Sequence, residues 1–363
     1  MSSLPPSIAA INRFRDKGNH PVHQIHRSRT QNAAVWYFLR KGTQGRNYDD
    51  LRAQLMVVKI ASDAPASRKR LLNEAEALTK IKNTYAGERF GAANVEGADR
   101  EEGRQIMQRF CHLDDCDLAT VEQHGASQLE DAWWITTRAI YPSFTLQHYI
   151  DNLHAQRQPA PGHFTAHVFL ELFSAVKFLQ EEHGIAHNEL VERNVLLDLW
   201  TRTPKQFPII KLIDFGSATC APLASSPDEV CANDVDKQND VKAIYTIISN
   251  LEKIRRQYVT GDIDRLDDEM RKDKVFQEWD KRSKITQYYT REGLKKSGGL
   301  ANLWKEARFF CEVMVGKVQP QEAITFLNLA MLQPAQATKA VVPDQLLGGI
   351  SRIDPASGML TVV

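Results

Sequence analysis

Ile185-Ala186-His187-Asn188-Glu189-Leu190-Val191-Glu192-Arg193-Asn194-Val195-Leu196-Leu197, followed further on by Leu212-Ile213-Asp214-Phe215-Gly216, decides how the rest of the chain is read. Glu189 is a carboxylate able to orient a hydroxyl and take its proton. Asn194 and Asp214 are an amide and a second acid of the kind that together hold Mg²⁺. The apolar runs 195–199 and 209–213 read as two strands of a hairpin, whose pairing brings Asn194 and Asp214 to one ion. Its turn, 200–208, is long, but residues added at a hairpin tip leave the ends in place. These are the parts that phosphoryl transfer uses.

Immediately upstream, residues 164–183 carry Val168, Leu172, Ala175, Val176 and Leu179 on one stripe, an amphipathic helix that Gly184 can cap. Nearer the N-terminus, 22–26 and 34–40 read as a strand pair. Leu55-Met56-Val57-Val58-Lys59-Ile60 is a third strand with one charge inside it, and a buried Lys needs a partner. The helix expected over 68–82 offers one: Leu71, Ala75, Leu78 and Ile81 make its apolar face, with Glu74 beside that face and Glu76 off it. Residues 83–132 read as a long polar loop plus one strand. The last strand of this sheet falls in 131–140, 138–142 form a connection, and 145–152 open the next part.

The order Lys59, Glu74, His187, Asn194, Asp214, Phe215, Gly216, Asp240 resembles the eukaryotic-type protein kinase superfamily. The resemblance covers residues 20–255 and implies an α+β, bilobal fold: an N-terminal extension at 1–20, a small β-rich lobe at 21–140, a reduced helical lobe at 141–333, and a loosely attached tail at 334–363. It implies ATP and Mg²⁺ as cofactors. Lys59 would bind the α and β phosphates with Glu74 holding it, and Asn194 and Asp214 would bind Mg²⁺. Val35, Val57 and Leu196 would sandwich the adenine, and His187, Phe215 and Leu78 would stack as an internal column. Asp240, read as opening a helix over 240–254, would accept backbone hydrogen bonds from the catalytic loop.

The departures are as informative as the matches. Ser28-Arg29-Thr30-Gln31-Asn32-Ala33 has no glycine where the family brings backbone amides close to phosphates. Val57 stands where a small Ala is usual, Asn188-Glu189 where Arg-Asp is usual, and Val191 where a Lys is usual. No A-P-E motif follows Gly216, and Thr219, Ser225 and Ser226 are the candidate phosphorylation sites of that segment. The expected function is an atypical Mg-ATP-dependent kinase acting on Ser/Thr hydroxyls of a protein substrate, with Glu189, Asn194 and Asp214 as the catalytic set. The losses point to the alternative, a pseudokinase serving as a nucleotide-sensing or scaffolding module. A small-molecule kinase of the aminoglycoside or choline type is third.

Composition narrows the partners. Among 363 residues, a net charge of +1 supplies no basic field for nucleic acid. No run approaches the roughly twenty apolar residues a spanning helix needs, so no membrane partner is expected and the protein reads as intracellular. Five cysteines form no paired framework and fit reduced thiols. Cys111, His112, Cys116 and His124 match no zinc-finger spacing. The sequence leaves the oligomeric state open.

Overall fold

The computed structural model describes residues 11–27, 33–87, 105–117, 134–202, 207–220, 227–258, 308–316 and 342–363, apart from positions 13, 63 and 310. The fold is mixed α+β. Five antiparallel strands form the main sheet in the order β1-β2-β4-β6-β5: β1 (Asn19–Arg27), β2 (Ala34–Arg40), β4 (Met56–Ile60), β6 (Trp134–Arg138) and β5 (Leu113–Asp117). Register places Val35 opposite Lys59 and Tyr37 opposite Val57, so all four side chains share one face. The other face carries Phe38, Val58, Ile60 and Trp134, which pack with Phe14 into a small core of their own.

Helix α2 (Pro65–Gly87) follows β4 and is longer at both ends than the expected 68–82. Pro65 at the first helical position, where a missing N–H costs nothing, explains the earlier start. Leu71, Ala75, Leu78 and Ile81 are all buried, as the periodicity required. They join the main core with Ile135 of β6, Phe110, Phe215 and helix α4 (Gly162–Glu182). Helix α3 (Leu146–Gln156) starts at Thr145, whose hydroxyl accepts from the His148 N–H while His148 answers the cap backbone.

Beyond α4 come β7 (Ile185–Ala186), the hairpin β8 (Val195–Arg202) and β9 (Pro208–Leu212), and β10 (Thr219–Cys220), which pairs with β7. Leu212 N donates to Arg109 O at 2.8 Å and Leu197 N to Phe144 O at 2.8 Å, which tie the hairpin to the chain on either side of the sheet. Helix α5 spans Pro227–Tyr258 rather than opening at Asp240. Pro227 at its first position, with Asp228 and Glu229 in the first turn, is a strong start signal that lies upstream of the acid.

The C-terminal residues are not a loose tail. Residues 342–363 form α6 (Asp344–Gly348), β11 (Ser351–Ile353) and β12 (Leu360–Val362), and β12 pairs with the short β3 (Gln44–Gly45). Val342, Leu347 and Val362 are buried against Val22, Leu39, Leu51 and Leu55, filling an apolar face that the sheet and helix α1 (Tyr48–Arg52) leave uncovered. Arg52 Nε donates to Val342 O at 2.9 Å, and its guanidinium pairs with Asp344. Among the described residues no helix is long and apolar enough to cross a membrane. The charged stretch 262–284, expected to be helical, and the first part, 300–307, of the amphipathic run expected over 300–315 lie outside the described residues, as do Ser28-Asn32, His124, Ser225 and Ser226.

Candidate functional site

Lys59 leaves β4 on the face shared with Val35 and Val57, and α2 runs past that face with Glu74 turned inward and 7% exposed. Lys59 Nζ stands 2.5 Å from Glu74 Oε2 and 2.5 Å from Asp214 Oδ1, so one ammonium joins the strand, the helix and the segment after β9. Burial pulls the Lys59 ammonium down, but the two carboxylates outweigh it and hold its pKa well above the ordinary value. Burial pushes the Glu74 carboxyl up, with Lys59 offsetting only part of it. Burial also acts upward on Asp214, yet Lys59 holds it below the ordinary range.

The 187–194 loop is fixed from three sides. Asp240, 2% exposed, accepts from His187 N at 2.6 Å and from Asn188 N at 2.8 Å. His187 Nδ1 accepts from Glu189 N at 3.3 Å, so Nε2 carries the proton and donates to Ile213 O at 3.1 Å. Its ring lies 4.7 Å from that of Phe215, and Phe215 and Leu78 share the main core. Asn188 adopts φ 61 and Asp214 φ 63, a left-handed backbone that Asn and Asp tolerate better than bulkier residues. The Asn188 amide donates to Ser217 O at 3.2 Å and Thr219 Oγ1 at 3.1 Å, tying the loop to β10.

Asn194 Nδ2 donates to Glu189 O at 2.9 Å, and Ile213 N donates to Asn194 O at 3.0 Å. Asn194, Asp214, Lys59, Glu74 and Glu189 are thereby linked in one continuous set. Val35 and Val57 remain half-buried on the sheet face that carries Lys59, and Leu196 is buried on β8, where Thr145 bridges it. Tyr37, on the same face as Val57, accepts at its hydroxyl from Ser143 N at 3.2 Å and pins the 139–145 connection.

Glu189 does not project freely. Its Oε2 accepts from Arg70 Nη2 at 2.7 Å and from Ser217 Oγ at 2.9 Å, and its Oε1 accepts from Arg193 Nη2 at 2.8 Å. Burial pushes its pKa up, but these three donors outweigh it and keep the carboxyl below its ordinary range. Arg70 and Ser217 were not among the residues singled out by sequence. Arg70 had a signal: it lies four residues before Glu74 and so shares its helix face. Ser217 had none, because its role depends on the turn Phe215–Ser217 folding back against α2.

These residues suit the phosphates of ATP better than they suit Mg²⁺. Lys59 and Arg70 are two cations against Asp214, one at Oδ1 and one near Oδ2, while the Asn194 amide nitrogen is spent on Glu189 O and its oxygen is an acceptor of the kind that ligates a cation. Arg70 Nη2, however, lies 3.8 Å from Asp214 Oδ2. A divalent ion beside that oxygen would face the guanidinium at a similar distance, where each pair of like unit charges repels by roughly 4 kcal/mol near a protein surface. With Arg70 in place, Asn194 and Asp214 do not fit a divalent ion. Among the described residues no group of three or more His, Cys, Asp or Glu is placed to hold a metal. No protein-family model matches the chain, and no curated protein is significantly similar to it.

Proposed function

We propose that the chain is a divergent protein-kinase-like module that binds a nucleoside triphosphate at Lys59 and acts through binding, with Glu189 held out of general-base service. The observation that carries this reading is the single ammonium of Lys59 bridging Glu74 and Asp214 at 2.5 Å each. An isolated surface ion pair needs no such convergence of strand, helix and loop. A bilobal arrangement belongs to the same proposal: the five-stranded sheet with α2 as the smaller lobe, and α3, α4, α5 and the β8–β9 hairpin as the larger. The fixed loop supports it, since Asp240, His187 and Asn194 together hold a backbone that would otherwise be an irregular buried segment.

When bound, ATP supplies the phosphate charge that Lys59 and Arg70 face, and Val35, Val57 and Leu196 would meet its base. Lys59 orients that charge, and Glu74 and Asp214 hold Lys59. Both oxygens of Glu189 are engaged by donors, so the binding reading needs no proton transfer. A thermal-shift titration tests it: millimolar ATP raises the melting temperature of the wild type by mass action, and Lys59→Met abolishes the rise. No shift at any ATP concentration would refute nucleotide binding.

A second reading, phosphoryl transfer to Ser/Thr hydroxyls of a protein partner, draws on one observation. Ser217 Oγ donates to Glu189 Oε2 at 2.9 Å, so a hydroxyl reaches this carboxylate with hydrogen-bonding geometry. Transfer of labelled γ-phosphate that falls at least ~10²-fold in Glu189→Gln would favour that reading over pure binding.

A further inference from the structure

Arg70 has no place in the residue order that first marked this site. It projects from α2, four residues before Glu74, and its guanidinium reaches between the two acids on the opposite side. Nη2 is 2.7 Å from Glu189 Oε2 and 3.8 Å from Asp214 Oδ2. Its passage is cut to measure: a Cβ at Gly216 would lie 3.1 Å from Arg70 Nε and 3.3 Å from Arg70 Cβ, so the absence of a side chain there makes room for the arginine stem. The Arg70 side chain is 27% exposed and that of Asp214 24%, so the pair is largely shielded from solvent while still open to a ligand.

The charges around it balance. Lys59, Arg70 and Arg193 stand against Glu74, Glu189 and Asp214, three cations against three carboxylates. In a balanced set the ion taken is decided by what it meets: a divalent cation beside Asp214 Oδ2 meets Arg70, whereas a polyphosphate on that side meets a guanidinium whose planar fork suits phosphate oxygens.

We propose that Arg70 is the fixed counter-cation of this site, so that the site takes the phosphates of a nucleoside triphosphate without a divalent metal ion. The inference rests on the nucleotide-binding reading and deepens it. Arg70 keeps Nη2 on Glu189 and offers its other guanidinium N–H donors to a phosphate oxygen, and Arg193, with Nη2 at 2.8 Å from Oε1, also holds Glu189.

The test is a thermal-shift and calorimetric titration of the full chain with ATP, once in excess EDTA and once in millimolar Mg²⁺. Wild type is expected to bind ATP in EDTA at least as tightly as in Mg²⁺. Arg70→Gln is expected to weaken binding in EDTA by roughly 10- to 100-fold, the worth of one charge-assisted hydrogen bond, and to recover affinity when Mg²⁺ is added. Arg70→Lys, which keeps the charge, retains binding in EDTA, and carries the test should the Gln variant fail to fold. Wild-type binding that requires Mg²⁺ and is indifferent to Arg70→Gln, or an Arg70→Lys variant that binds only with Mg²⁺, overturns the inference while leaving the nucleotide reading intact. No binding under either condition overturns the nucleotide reading, and this inference with it.

Discussion

Asp240→Ala removes the one acceptor shared by the backbone N–H groups of His187 and Asn188, at 2.6 and 2.8 Å. An acid at a helix start would lose only ~0.3 to 1 kcal/mol of dipole interaction. Asp240 is not at a start: α5 begins at Pro227, and the carboxyl sits well inside the helix at 2% exposure. Each buried N–H left without an acceptor costs about 1 to 3 kcal/mol. Against that stands the relief of burying a carboxyl, which is real, because burial pushes the Asp240 pKa up despite its donors. The net expectation is a loss of about 2 to 4 kcal/mol. Urea denaturation followed by fluorescence reads it as a lower midpoint at unchanged slope, and Asp240→Asn, which keeps one acceptor oxygen, should lose less than Ala. An Ala variant within ~0.5 kcal/mol of wild type would mean that the 187–194 loop does not depend on this acceptor, and the reasoning that links α5 to the loop would fall.

Three further outcomes are expected. The stability difference between wild type and Glu189→Gln should depend on pH: a carboxyl whose folded pKa is depressed contributes stability above the unfolded value of about 4.3 and loses it as pH falls through the folded value, and a difference that grows on acidification would contradict the ion-pair hub. Gly216→Ala should cost about 1 kcal/mol by crowding the Arg70 stem, measured by denaturation, whereas a stabilising effect would show that Arg70 does not pass there. Arg52→Ala should release the C-terminal segment by removing the bond to Val342 O, at about 1 kcal/mol, and expose residues near 342 to limited proteolysis; an unchanged cleavage pattern would show that the apolar contacts of Leu347 and Val362 suffice.

Much of the frame could be read from the sequence because it obeys periodicity. Leu71, Ala75, Leu78 and Ile81 announced one helix face, and a single Lys in an apolar strand announced a buried partner on it. Boundaries were less legible: α5 reaches back to Pro227, whose start signal lies in a stretch with no apolar periodicity in its sequence to mark a helix. The C-terminal segment misled for a different reason. Leu360-Thr361-Val362 is too short to mark a strand until Gln44 and Gly45 supply its partner, and that pairing spans almost the whole chain. Sequence separation of that size leaves no local trace.

The contacts of Glu189 were the least legible part, and they change what the residue means. Taken alone, Glu in place of Asp is an acid with its oxygens displaced by one methylene. In the fold, that added reach coincides with three donors from three elements: Arg70 from α2, Arg193 from its own loop and Ser217 from the turn after Asp214. Arg70 and Glu74 share a face of α2, so the helix is clamped twice, through Glu74 to Lys59 and through Arg70 to Glu189. Two clamps on one helix restrict the rigid-body motion by which such a helix could enter or leave the site, because either displacement strands a partly buried charge. Glu189 therefore supplies the second clamp. For the binding function proposed above, two clamps supply what binding requires, a preorganised set of charges, and limit the mobility that turnover and product release use.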